Sequence, residues 1–141
     1  MTQVSQVMSR DVRTLAPNET VMKAAQAMQE LDVGVIPVCN GRKLVGMVTD
    51  RDIVLRGVAK GCVVDQAQLE DVMSKDPEWC FEDQTIEEVS AKMRDSQIRR
   101  VPVVDHDKHL VGILSLGDIA TRTHTEAETG ETLEEISKPA H

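Results

Sequence analysis

Apolar positions along this chain alternate between two spacings, and the alternation occurs twice in the same order. Val21, Ala24, Ala25, Met28 and Leu31 keep a helical spacing, as do Ile86, Val89 and Met93. Thr20 and Thr85 precede these stretches where an N-cap belongs, and Thr85-x-x-Glu88 has the form of a capping box. Gly34 is expected to break the first helical pattern. Short β-branched runs come next. Val35–Cys39 and Leu44–Thr49 flank an Asn40-Gly41 turn signal, and Arg100–Val104 and Leu110–Ser115 flank the looser loop Asp105–His109. A second helix opens after Thr49 and again after Ser115. With an opening strand near Val12–Leu15, the pattern predicts a β-α-β-β-α unit in each half.

The words repeat as well as the spacing. Val7-Met8-Ser9-Arg10-Asp11 returns as Val72-Met73-Ser74-Lys75-Asp76, and Ile36-Pro37-Val38 as Val101-Pro102-Val103. Leu44-Val45-Gly46 returns as Leu110-Val111-Gly112, and Asp52-Ile53 as Asp118-Ile119. A fixed period of this kind takes precedence over local propensity in deciding the fold. The expected organisation is repeat 1 over 4–57, a linker over 58–68, repeat 2 over 69–122, and an acidic, disorder-prone tail over 123–141. One copy of roughly 50 residues is too small for a comfortable core. Two copies related by an approximate two-fold axis can pack sheet to sheet. The expected fold is therefore α/β (α+β), with two pseudo-symmetric repeats and two equivalent clefts between the halves.

Composition removes several function classes. Aromatic residues make up 1% of the 141 positions, so the core is aliphatic and stacking platforms for single-stranded nucleic acid are lacking. A net charge of −8 argues against binding along a phosphate backbone, although part of it sits in the tail, where five glutamates outnumber Lys138. Cys39, Cys62 and Cys80 are odd in number and show no CxxC spacing, which reads as reduced thiols with no disulfide and no metal. His106, His109 and His124 form no tight Cys/His ligand pattern. The N-terminus lacks a basic start followed by an apolar stretch, and no apolar run approaches the roughly 20 residues of a membrane span. A soluble cytoplasmic protein without membrane contact is the expectation. No nucleophile is paired with a base, and no P-loop or Rossmann glycine pattern occurs, so catalysis is not expected.

Candidate chemistry lies where strand gives way to helix. Thr49-Asp50-Arg51-Asp52 and Ser115-Leu116-Gly117-Asp118 each place a hydroxyl three positions before an aspartate. Helix capping alone accounts for this spacing. The same geometry also suits a ligand: amides at a helix start attract phosphate, the hydroxyl can donate to a phosphate oxygen, and the aspartate can accept from the two hydroxyls of a ribose. On the preceding strand Arg99 and Arg100 stand where the first repeat has Gly34 and Val35. Paired arginines are commonly solvated surface, but beside such a turn they also suit a phosphate. That asymmetry directs the more anionic end of a ligand to the second site.

The doubled set of motifs resembles tandem CBS domains, which pair into a Bateman module, over about Val4 to Arg122. The resemblance implies an adenosyl ligand (AMP, ADP, ATP, S-adenosylmethionine or an NAD-type dinucleotide) in the clefts, with no covalent cofactor. It assigns ribose to Asp52 and Asp118 and phosphate to Thr49 and Ser115, and it has backbone around Val35-Ile36-Pro37 and Arg100-Val101-Pro102 frame the adenine. Ile53 and Ile119 would offer apolar contact, and Arg51 would partly replace the basic pair that the first repeat lacks. Thr14 stands on the opening strand of the first site where Trp79 stands in the second. That ring can cover a ligand, block the slot or fill core. No catalytic domain accompanies the motifs, so the expected function is a regulatory sensor that signals to a separate, unknown protein partner. The alternative is a ligand-free dimeric scaffold. A homodimer is implied by the resemblance, with Met22, Met28 and Met93 as candidate surface, although core packing is the commoner fate of a methionine at helical spacing.

Overall fold

In the computed structural model, which describes residues 2–122, the chain divides into two compact units that cut across the sequence repeats. The continuous unit is Arg13–Pro77. The split unit joins the N-terminal segment up to Val12 to the chain from Glu78 onward. The Val-Met-Ser word of each repeat therefore lies against the strands of the other repeat.

In the continuous unit, α1 (Val21–Leu31) leads into the hairpin β1 (Val35–Asn40) and β2 (Lys43–Thr49). Gly41 supplies the positive φ of 64° that the tight turn requires. Beyond β2 the chain coils through α2 (Asp50–Asp52), a π-helical turn over Ile53–Gly57 and a 3-10 turn over Val58–Lys60. The short strand β3 (Ser74–Lys75) returns antiparallel to β2, pairing Lys75 with Gly46 and Ser74 with Met47. On the other edge, Leu15 makes a parallel bridge to Val38.

The split unit repeats this plan with β4 (Cys80–Phe81), α3 (Ile86–Ser96), β5 (Arg100–Val104), β6 (Leu110–Ser115) and α4 (Leu116–Arg122). Here β4 runs parallel to β5, and Ser9 bridges to Ile113 as Ser74 pairs with Met47. Register shifts fall at matching places, between Val38 and Cys39 and between Val103 and Val104.

Close approach explains a repeated glycine. A Cβ on Gly46 would sit 2.8 Å from both the Met73 sulfur and the Ser74 carbonyl oxygen. A Cβ on Gly112 would meet the Met8 sulfur and the Ser9 carbonyl at 2.7 Å. Only glycine lets the Val-Met-Ser segment lie this close to the strand. Each segment then fills its unit's core. Val4, Val7 and Met8 are buried with Cys80, Ile86, Val89, Met93, Val101, Leu114 and Ile119, whereas Leu69, Val72 and Met73 are buried with Val21, Ala24, Met28, Ile36, Val48 and Ile53.

Both long helices begin as the pattern predicts. Thr20 Oγ1 accepts the Lys23 amide at 3.2 Å, and Thr85 Oγ1 accepts the Glu88 amide at 3.2 Å. Their ends differ from expectation. Asp32 and Gln97 terminate α1 and α3 in the left-handed region, at φ 55° and 54°, so the first helix stops before Gly34 is reached. Met28 and Met93 were candidates for a partner surface, but their helical phase turns them inward and both are buried, leaving Met22 half-buried. Burial also raises the thiols of Cys39 and Cys80, the latter to about 12, which keeps both protonated. No helix among the described residues is long and apolar enough to cross a membrane. The tail expected from Thr123 onward lies outside the described residues.

The two aromatic rings gather along β4. Trp79 meets Phe81 edge-on at 4.8 Å between centroids, Phe81 stacks on His106 at 4.3 Å, and the Lys92 ammonium lies 5.7 Å from the Trp79 ring centre. Lys92 also donates to the Trp79 carbonyl and pairs with Glu78 at 3.3 Å. Packing of this kind gives the Trp79 ring a structural task. His106 Nε2 lies 2.7 Å from Asp83 Oδ2 on the surface.

Two outcomes are expected. Gly112→Ala and Gly46→Ala should each lower stability by about 1–3 kcal/mol in urea unfolding, the usual range for overpacking. Gly117→Ala, where the nearest atom to a new Cβ is Ser115 Oγ at 3.6 Å, should cost nothing. Equal behaviour of Gly112→Ala and Gly117→Ala would remove the close-approach explanation. For the surface pair, the hydrogen bond to Asp83 raises the His106 pKa above 6.5, and the bond from His106 lowers that of Asp83 below 3.8. The His106 share of stability is present below 6.5 and fades as pH rises through the raised folded value. The Asp83 share is present above 3.8 and fades as pH falls through the lowered folded value. A melting-temperature difference between wild type and His106→Gln should thus be widest between these two pH values and vanish in alkali.

Candidate functional site

The two hydroxyl–aspartate turns form reciprocal caps. The Asp52 amide donates to Thr49 Oγ1 at 3.0 Å, and the Thr49 amide donates to Asp52 Oδ2 at 3.0 Å. The Asp118 amide donates to Ser115 Oγ at 3.0 Å, and the Ser115 amide donates to Asp118 Oδ2 at 3.1 Å. Each carboxylate spends one oxygen on its cap. An ionised carboxylate offers about four lone-pair positions, so capping leaves acceptor capacity on the other oxygen. All four side chains are half-buried, as a group must be to serve both the helix and something outside it.

Strand register sets what lies beside each turn. Val35 is the cross-strand partner of Thr49, and Arg100 that of Ser115. Direct partners project to the same face of the sheet, which puts the exposed Arg100 side chain on the same face as that of Ser115. One residue earlier, the Asp50 amide donates to the Gly34 carbonyl at 3.0 Å and the Leu116 amide donates to the Arg99 carbonyl at 3.0 Å. A Cβ at Gly34 would lie 3.3 Å from Asp50 Oδ2, the end of an exposed side chain that can give way. The turns therefore differ in charge. The continuous unit adds a carboxylate at Asp50, and the split unit has a buried Leu116 there with exposed Arg99 and Arg100 before it.

Other residues anticipated at the sites take varied positions. Pro37 and Pro102 are buried within β1 and β5, and the side chains of Ile36 and Val101 enter the cores, so at these four positions only backbone is left to face a ligand. Ile53 and Ile119 also pack into the cores, supporting their turns from below. Arg51 is exposed and lines a shallow, open pocket with Asp50, Val54 and Leu55. Thr14 is exposed beside the Leu15–Val38 bridge, and the half-buried Trp79 takes the matching place next to β4.

Several contributors escape a reading by motif. Arg56 Nε lies 3.9 Å from Asp52 Oδ1, and its NH1 group donates to the Met73 carbonyl at 3.3 Å. Arg122 donates to the carbonyls of Val7 and Met8 at 2.9 and 3.0 Å. Ser9 Oγ donates to Asp118 Oδ1 at 3.3 Å. The available signal was an arginine four residues after each motif aspartate, the spacing of neighbours on one helix face. In the β5–β6 loop, Asp105, Asp107 and His109 bring ligand-type atoms within 4.8 Å of one another, a grouping of acidic and imidazole groups that a Cys/His spacing search passes over. Asp105 Oδ1 there accepts the amides of Asp107 and His109, both at 2.9 Å.

Comparison with known proteins agrees with this doubled architecture. The family model for the CBS domain matches twice, at residues 4–58 and 69–124. CBS domain-containing protein YhcV of Bacillus subtilis is 39% identical over 137 residues, covering 97% of this chain and 96% of its own length. The crystal structure of Hypoxic Response Protein I, which holds two coordinated zinc ions, superposes with a TM-score of 0.78 at 35% identity, covering 86% of this chain and 99% of that one. CBS domain protein PAE2072 from Pyrobaculum aerophilum, complexed with AMP, gives a TM-score of 0.77 at 25% identity over 92% of this chain and 98% of that one. With two matched repeats, two three-stranded sheets and the same cap at each strand-to-helix turn, this chain belongs to the CBS-domain family as a CBS pair.

Proposed function

We propose that this CBS pair is a regulatory sensor of adenosyl nucleotides that signals to a separate protein partner and performs no catalysis. The observation that carries the reading is the capping aspartate. Asp52 and Asp118 each hold a helix start with one oxygen and keep acceptor capacity on the other, which suits the paired hydroxyls of a ribose. The bound AMP of PAE2072 supports this ligand class. AMP, ADP, ATP, S-adenosylmethionine and NAD-type dinucleotides share the adenosyl group that the turns would recognise. Thr49 and Ser115 supply hydroxyls for phosphate, and Arg100, opposite Ser115, supplies charge. Thr14, Gly34 and Arg51 border the first site and Arg99 the second. Because Asp50 adds a negative charge to one turn and Arg99 and Arg100 add positive charge to the other, a phosphate-bearing ligand prefers the split unit.

A second reading, the ligand-free dimeric scaffold, is favoured by the completeness of the caps, which need no ligand to close. Under either reading a second copy of the chain can cover Val54, Leu55 and Val58, which stand exposed along the helical run after Asp52. The protein works in the cytoplasm under this proposal.

Calorimetric titration with AMP and S-adenosylmethionine decides between the readings. AMP should bind the wild type, Asp118→Ala should abolish the tighter event, and Asp52→Ala should abolish only the weaker one. Arg100→Gln should weaken AMP about tenfold or more, as expected for the loss of a charge-assisted hydrogen bond, and leave S-adenosylmethionine little changed. A hundredfold excess of ligand over Kd should also add about 2.7 kcal/mol of stability. Flat titrations together with flat thermal melts would leave the scaffold. Separately, Leu55→Glu should convert a dimer into a monomer in sedimentation analysis, and a wild type that sediments as a monomer would refute the pairing.

A further inference from the structure

We infer that the two motif aspartates also act as positioning residues for the segments that connect the units, so that occupancy of an aspartate is transmitted to those segments. This rests on the reading of Asp52 and Asp118 as ligand groups, and it names the regulation of that same site.

Each aspartate is wired to the Val-Met-Ser segment of its own unit, by different chemistry in the two cases. In the split unit Ser9 Oγ donates to Asp118 Oδ1 at 3.3 Å and lies 3.5 Å from Oδ2. Arg122, on the same helix, holds the Val7 and Met8 carbonyls just before it. In the continuous unit Arg56 makes the link instead, facing Asp52 Oδ1 with Nε and donating to the Met73 carbonyl with NH1. The oxygen left over after capping is thus the one nearer to Ser9 in the split unit and the one that faces Arg56 in the continuous unit. Only a few residues farther on, each segment leaves its unit: after Val12 the chain enters the continuous unit, and after Pro77 it enters the split unit.

A ribose diol binding to that oxygen draws on the same lone pairs as Ser9 and on the same charge as Arg56. Ligand and segment compete for one carboxylate, so a ligand changes how firmly the segment is held without touching it. The segment is pinned on its other side by the strand: the Ser9 amide donates to the Ile113 carbonyl and the Ile113 amide to the Ser9 carbonyl, both at 2.9 Å. These two amides report how firmly it is held. Because the links are unlike, an exchange of hydroxyl for ribose at Asp118 and a loss of charge pairing at Asp52 give the two connections different responses.

Amide hydrogen exchange on the intact ligand-free chain tests the wiring. Ser9→Ala and Asp118→Asn should each speed exchange at the residue 9 and Ile113 amides about fivefold, the scale of one lost hydrogen bond, and the double variant should do no more than either alone. At the Ser74 and Lys75 amides, Asp52→Asn and Arg56→Gln should behave in the same non-additive way, and Arg56→Lys, which keeps the charge and the packed stem, should recover part of the protection. Arg56→Lys and Arg122→Lys also give a folded comparison should a neutral variant fail to fold. A purely capping role predicts faster exchange in α4 with residue 9 and Ile113 unchanged. That result, or additive effects in the double variants, would overturn the inference. AMP is then added to wild type and Ser9→Ala. Failure of AMP to bind either protein refutes the nucleotide reading alone, because the ligand-free cycle judges the wiring by itself. Binding that leaves exchange at residue 9 of the wild type untouched refutes the transmission.

Discussion

Two glycines set the limits within which this molecule can fold. At Gly46 and Gly112 a strand accepts the backbone and methionine of an incoming segment at a distance that excludes any Cβ. Were those positions larger, the Val-Met-Ser words would be pushed back from the strands, and Val4, Val7, Leu69 and Val72 would pack less closely in the two cores. Fully burying an aliphatic side chain of this size contributes about 1.5–3 kcal/mol, so the segments matter greatly beside a net stability of about 5–15 kcal/mol. The duplicated word near each repeat's start is thus a structural key, and the glycine in the later strand is the matching lock.

Much of the local structure is legible in the residues themselves. Thr20 and Thr85 cap the helices they precede, the turn at Gly41 reverses the first hairpin, and the hydroxyl–aspartate spacing closes both reciprocal caps. What resists reading is the choice of partner. The Val-Met-Ser words of the two copies are the same, so nothing local says that Ser9 pairs with Ile113 and Ser74 with Met47. Helix ends are hidden for a different reason. Asp32 and Gln97 adopt a left-handed conformation that propensity assigns to glycine, and tertiary packing outweighs the small cost. Met28 and Met93 show the converse, because helical phase alone would have placed them inside.

The candidate sites were legible in part. Asp52 and Asp118 stand at the turns as their spacing requires, and register brings Arg100 beside Ser115. The contrast between Gly34 with Asp50 and Arg99 with Leu116 could be seen only once the strand-to-helix hydrogen bonds paired these residues. Ile53 and Ile119 sit at motif positions and also pack into the cores beneath their turns, a second role that the motif spacing does not reveal.

The exchange of opening segments between the repeats has a bearing on ancestry. A half-length chain carrying one copy would hold a vacancy in its own core and an arm that fits only its twin. Two such chains would complete each other by trading arms, an intertwined dimer of identical subunits. Joining them end to end would need little more than a connector, and thereafter the halves could diverge. Thr14 and Trp79, like Gly34 and Arg99, are matching positions at which the two copies differ.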